Sequence, residues 1–133
     1  MSCKAQTKGE VFMTTDNAVG NITFTPEGDL VYSHHPFFGP QNRVMIYDKA
    51  TKTLKPFPNK SWNTPRKTDD NYLSNVLGIR NDKNGIIWML DMAQRNKVTP
   101  KIVGWNTKTN ILERIYYLPE STTPKESQPN DMV

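Results

Sequence analysis

Residues 77–119 read LGIRNDKNGIIWMLDMAQRNKVTPKIVGWNTKTNILERIYYLP. Apolar residues fall in short clusters between turn signals, the mark of strands rather than helices. Four strands are expected: one ending near Asp82, then Ile86–Leu90, Pro100–Trp105 and Ile111–Leu118. Asn84-Gly85 between the first two predicts a tight type I′ hairpin, because both residues tolerate positive φ. Ile86-Ile87-Trp88-Met89-Leu90 is unbroken apolar, as expected of a strand covered on both faces.

A degraded copy of this unit lies upstream. Asn21–Thr25 alternates polar and apolar, Pro26-Glu27-Gly28-Asp29 is a turn, and Leu30–Ser33 is the return strand. Arg43–Tyr47 and Thr53–Phe57 supply two more strands. Gly85 follows Gly28 by 57 positions, while Trp105 and Leu112 follow Tyr47 and Leu54 by 58. A four-stranded meander repeated at this spacing describes the blade of a β-propeller. The chain therefore divides into an arm (1–18), a first blade (19–58), a polar connector (59–74), a second blade (75–119) and a terminal stretch (120–133). Asp131 falls in register with Gly78 and Asn21, so Asn130–Val133 is expected to begin a third blade. The fold class is all-β, a propeller fragment that leaves blade edges open to self-association.

Composition narrows the function. A chain of 133 residues with 35% hydrophobic and 23% charged residues is long enough for one domain with a real core. No apolar run approaches the roughly 20 residues of a membrane-spanning helix. The net charge of +4 arises from Lys and Arg interleaved with acids, with no basic block, so no nucleic-acid partner is expected. Cys3 is the only cysteine, which excludes an internal disulfide. Met1-Ser2-Cys3 has the form of the end of a bacterial lipoprotein signal, and equally of an ordinary start with a surface cysteine. No nucleophile elbow, phosphate loop, CxxC or zinc-helix motif occurs.

Several motifs in fixed order carry a family resemblance. Leu77–Asp91, Pro100–Asn110, Arg114–Pro119 and Asn130–Val133 resemble the pattern of the major royal jelly/yellow protein family. GNITFTPEGDLVYSHHPF (Gly20–Phe37) and PFPNKSW (Pro56–Trp62) are similar to its bacterial, dopachrome-tautomerase-related branch. The chain departs from the pattern at Asp91-Met92-Ala93 and at Trp105-Asn106. The resemblance implies a six-bladed propeller, secreted or in the cell envelope, that binds a small organic ligand of the aromatic amine or catechol class at its channel mouth. A metal-dependent lactonase-like hydrolase or a dopachrome-type tautomerase is the alternative, and a structural extracellular protein the third. For this chain alone binding is expected over catalysis, and no catalytic set emerges.

In an up-down-up-down meander the starts of strands one and three and the ends of strands two and four share one rim. That rim gathers the candidate ligand-binding residues Asn21, His34, His35, Phe37, Phe38, Arg80, Asp91, Asn130 and Asp131. Adjacent strand residues point to opposite faces, so His34 and His35 cannot share one metal ion. One of them can donate to a ligand, although a structural role weighs more. Phe37 and Phe38 suit stacking on an aromatic ligand or packing over the blade end. Arg80 and Asp82 share a strand face and are read first as a structural ion pair between blades. No cofactor is expected. Asn21 and Asp131, at equivalent strand starts, are the alternative, with oxygen ligands of the kind Ca²⁺ takes.

Overall fold

Eight strands of four to seven residues form two four-stranded antiparallel sheets in the computed structural model, which describes residues 8–93 and 98–133. Blade 1 runs β1 (Val19–Phe24), β2 (Leu30–His34), β3 (Val44–Asp48) and β4 (Thr53–Pro56) in simple meander order. Blade 2 repeats that order with β5 (Val76–Asn81), β6 (Ile86–Asp91), β7 (Lys101–Asn106) and β8 (Ile111–Tyr117). The all-β propeller-fragment architecture read from the repeat is the observed one. Cys3, weighed as a lipidated residue, lies outside the described residues.

Local chemistry explains why the two blades match. In the first hairpin of each, a residue with a side-chain acceptor opens the turn and a glycine with positive φ closes it. The Thr25 carbonyl accepts from the Gly28 amide and its hydroxyl from the Asp29 amide; the Asp82 carbonyl accepts from the Gly85 amide and its carboxylate from the Asn84 and Ile86 amides, with φ of 90° at Gly28 and 86° at Gly85. The type I′ expectation fails here. Asn84 does not take positive φ, because the turn spans Asp82–Gly85 and Gly85 alone enters the left-handed region. The β3–β4 and β7–β8 turns match too. Asp48 Oδ1 accepts from the Ala50 and Thr51 amides, and Asn106 Oδ1 from those of Lys108 and Thr109. Lys52 and Asn110 then take φ of 56° and 57°. Each innermost strand also carries one bulge near its start, between Val19 and Asn21 in β1 and between Val76 and Ile79 in β5.

Strand alternation gives each blade two faces. The trailing face of blade 1 (Thr23, Val31, Val44, Ile46) packs on the leading face of blade 2 (Ile79, Ile87, Met89, Val103, Trp105). Thr23 donates to Asn81 across this junction at 3.1 Å. The connector, polar in sequence, completes the same core. Trp62 meets Trp105 edge to face at 6.1 Å, and Leu73 is fully buried beside them. Asn63 accepts from the Arg43 and Val44 amides and donates to the carbonyls of Phe57 and Asn59. A peptide as polar as this connector packs inward because its few apolar groups fill the gap between two sheets while Asn63 satisfies the backbone around them.

The two outer faces are met by the arm and by the terminal stretch. On the leading face of blade 1, Met13 packs against Leu30, Tyr32 and Met45, and the Phe12 ring meets Tyr47 at 5.7 Å. On the trailing face of blade 2, Trp88 and Tyr116 lie side by side at 5.9 Å. Asn130–Val133, expected to begin a third blade, carries no strand pairing in this structure. The segment still lies where that strand would run. Asn130 and Asp131 abut the backbone of Gly78 so closely that a Cβ there would stand 2.8 Å from the Asn130 carbonyl oxygen.

Candidate ligand-binding rim

The rim where β1 and β5 begin is anchored by a buried ion pair. Asp91 ends β6 and Lys101 opens β7 directly opposite, with Nζ to Oδ2 at 3.0 Å and neither side chain exposed. Asp91 also accepts from the amides of Ser74, Asn75 and Ala93. Four donors fill the lone-pair directions of a carboxylate, so Asp91 is committed to holding the connector rather than facing a ligand. Tyr72 covers the ammonium, its ring centre 5.6 Å from Nζ. Arg43 closes the cluster by donating to the carbonyls of Ser74, Pro40 and Gln41. Burial holds the Arg43 guanidinium below its ordinary value, partly offset by the Asp91 charge, and burial raises the Tyr72 phenol.

Arg80 joins three segments that the chain visits far apart. Its guanidinium donates to Asn21 Oδ1 at 3.1 Å, to the Ile79 carbonyl at 3.0 Å and to Asp131 Oδ2 at 2.7 Å. The ion pair between segments is therefore made with Asp131. Asp82, the partner expected from the sequence, instead accepts from the Asn84 and Ile86 amides and the Trp88 indole. Burial alone would raise the Asp82 carboxyl, but those donors hold it below the ordinary range. The two oxygens considered for calcium, on Asn21 and Asp131, are both engaged by Arg80. Among the described residues no three His, Cys, Asp or Glu side chains gather as a metal site would need.

The histidines diverge as strand alternation requires. His35 accepts the Phe37 amide at 3.3 Å and caps a short 3₁₀ turn, Pro36–Phe38, with its ring against Phe37 and Phe38. Phe37 and Phe38 are 87% and 64% exposed, so neither packs over the blade end. His34 is buried, its ring edge-on to Tyr32 at 5.3 Å. His34 Nδ1 stands 2.7 Å from the Asn42 carbonyl. A carbonyl only accepts, so Nδ1 carries a proton, and in the neutral ring Nε2 is the acceptor.

A cavity of about 230 Å³ opens beside that ring, lined among others by Asp16, Tyr32, His34 and Asn42. Neither His34 Nε2 nor the Tyr32 hydroxyl has a hydrogen-bond partner among the described residues. Burial, and then the Asp16 carboxylate, push the Tyr32 phenol above its ordinary value. No Lys or Arg lines the space. The cavity is smaller than the roughly 300–1,000 Å³ of drug-sized sites, and it offers a carboxylate, an imidazole acceptor and a phenol donor. Asp16 and Tyr32 are absent from the sequence-derived candidates. The arm that carries Asp16 has no periodic pattern, and Tyr32 reads as an ordinary strand residue. Of those candidates, Asn21, Arg80 and Asp131 are brought together, His34 enters the cavity, and His35, Phe37 and Phe38 form a separate exposed loop. Asn130 lies at Gly78.

No helix among the described residues is long and apolar enough to cross a membrane. No protein-family model matches the chain, and no curated protein matches it.

Proposed function

We propose that the chain is part of a royal jelly/yellow-like propeller that binds a small organic ligand of the aromatic amine or catechol class, in the secreted or cell-envelope setting the resemblance implies. One observation carries this reading: the His34 imidazole, the Tyr32 phenol and the Asp16 carboxylate line one cavity whose lining holds no Lys or Arg. A protonated amine suits Asp16, a phenolic hydroxyl suits His34 Nε2, and the Tyr32 ring supplies an aromatic edge. The reading moves the site from the open rim, where Arg80 and Asp91 already have partners, to the end of blade 1.

Calorimetric titration with dopamine tests it. Binding is expected, and Asp16→Asn and His34→Gln should each weaken it about tenfold, the weight of one hydrogen bond to a charged group. Phe37→Ser should leave it unchanged. No heat with dopamine, catechol or tyramine, or a loss confined to Phe37→Ser, would overturn it.

A further inference from the structure

We infer that Asn63 sets the tautomer of His34 through the Asn42–Arg43 peptide group, and so makes the cavity wall an acceptor that selects ligands carrying a free hydroxyl. Only the ligand half of this inference rests on the binding reading above; the relay itself stands on the fold. Asn63 Oδ1 accepts the Arg43 amide at 2.7 Å. The carbonyl of that same peptide group, on Asn42, lies 2.7 Å from His34 Nδ1. The bond between residues 42 and 43 is trans, and a trans peptide holds its N–H and C=O on opposite sides of one plane. A partner that fixes the N–H therefore aims the C=O.

Both ends of the relay are held. The Asn63 side chain cannot turn its oxygen away, because its nitrogen donates to the Phe57 and Asn59 carbonyls at 2.8 and 3.0 Å while the oxygen also takes the Val44 amide at 3.1 Å. At the far end the His34 amide donates to the Arg43 carbonyl at 2.8 Å, which keeps the imidazole beside the peptide it meets. The Arg43 guanidinium braces the loop before that peptide through the Pro40 and Gln41 carbonyls. Hydrogen bonds linked in this way polarise one another. The relay also joins distant parts of the chain. Asn63 follows Trp62 in the core between the blades, whereas His34 lines the cavity with Tyr32 and Asp16. With the proton fixed on Nδ1, a neutral ring offers an entering molecule only the Nε2 lone pair. A phenol or catechol hydroxyl can donate to it; a methyl ether in the same place cannot.

Imidazole nitrogen NMR of the ligand-free chain, at about pH 8 where an ordinary imidazole is neutral, reads the tautomer directly. An Asn63 that served stability alone would move the melting temperature and leave that tautomer as it is. Wild type should show His34 in the Nδ1–H form. Asn63→Leu, which removes the acceptor, should bring in the Nε2–H form. Asn63→Asp, which keeps the acceptor and loses the donors, should retain Nδ1–H despite its lower stability. Asn63→Ser, too short to reach the Arg43 amide, stands in should the leucine variant fail to fold. In calorimetry tyramine should bind wild type about three- to tenfold more tightly than its O-methyl ether, the weight of one hydrogen bond. That preference should shrink in the variant that lacks the acceptor. A wild-type ring in the Nε2–H form, an unchanged tautomer in Asn63→Leu or Asn63→Ser, or equal affinities for the two amines would each overturn the inference. No heat from either amine would overturn the ligand reading instead, and the ligand-free spectra would still decide the relay.

Discussion

Lys101 Nζ sits 3.0 Å from Asp91 Oδ2, and neither side chain has any exposed surface. A buried pair of this kind is most sensitive to the loss of one partner, because the other charge is left in a medium that cannot solvate it. Lys101→Met should destabilise the chain by about 3–5 kcal/mol. Adding Asp91→Leu should not restore stability, since the Ser74, Asn75 and Ala93 amides would then lack their acceptor. Urea midpoints of the two single variants and the double variant check this. Recovery in the double variant would mean that the ion pair, not the amide set, is what Asp91 is held for.

Asn63 is the hinge between connector and blade 1, with four hydrogen bonds of 2.7–3.1 Å. Asn63→Leu keeps the volume but leaves two amides and two carbonyls unpaired. A loss of about 2–4 kcal/mol is expected, at the scale of one or two buried unsatisfied groups. Asn63→Asp should also cost stability, because its carboxylate faces the Phe57 and Asn59 carbonyls with no donor. Thermal melts of both variants decide the point. A neutral Asn63→Leu would show that the connector is held by Trp62 and Leu73 alone.

Asp82 couples the blade to acid. Its folded-state value lies below the ordinary 3.8, so the charged form stabilises the fold. That stabilisation is complete at neutral pH and is lost as pH falls from about 4 through the lower folded value. Asp82→Asn should be less stable than wild type at pH 7, and the gap should narrow as pH falls below the ordinary carboxylate range. Chemical denaturation at pH 7, 4 and 2.5 measures it. A gap that stays constant with pH would mean that the asparagine disturbs the turn itself.

Arg80→Ala separates order from stability. Its side chain is 39% exposed, so the pair with Asp131 should contribute less than about 1 kcal/mol. The tail should respond more strongly than the fold. Faster carboxypeptidase removal of residues 130–133 with a nearly unchanged melting temperature is expected. Equal proteolysis of variant and wild type would mean that the Gly78 contact alone holds the tail.

The blades were legible because their determinants are local. Gly28 and Gly85, Asp48 and Asn106, and Lys52 and Asn110 each impose a turn through their own backbone or side chain, whatever lies around them. Tyr47 and Trp105 keep their register for the same reason. Residues whose fate depends on distant partners were not legible. Trp62 and Leu73 sit in a stretch that reads as polar linker, and only the gap between two sheets makes them core. Asp91 looks like a rim carboxylate until three amides and an ammonium are seen to consume it. His34 was found as a candidate, but Asp16 and Tyr32, which give its cavity a character, carry no pattern of their own.

The position of Trp62 has a further consequence for how the chain unfolds. Repeat arrays commonly behave as sums of units with nearest-neighbour terms, and such units can open one at a time. Here the principal core draws Val31, Val44, Ile46 and Phe57 from blade 1, Trp62 and Leu73 from the connector, and Ile79, Ile87, Met89 and Trp105 from blade 2. Neither sheet keeps a comparable core once the other leaves. The unit of cooperativity is thus the pair of blades, and the slowest-exchanging amides of β2 and β6 should report one shared opening event rather than two.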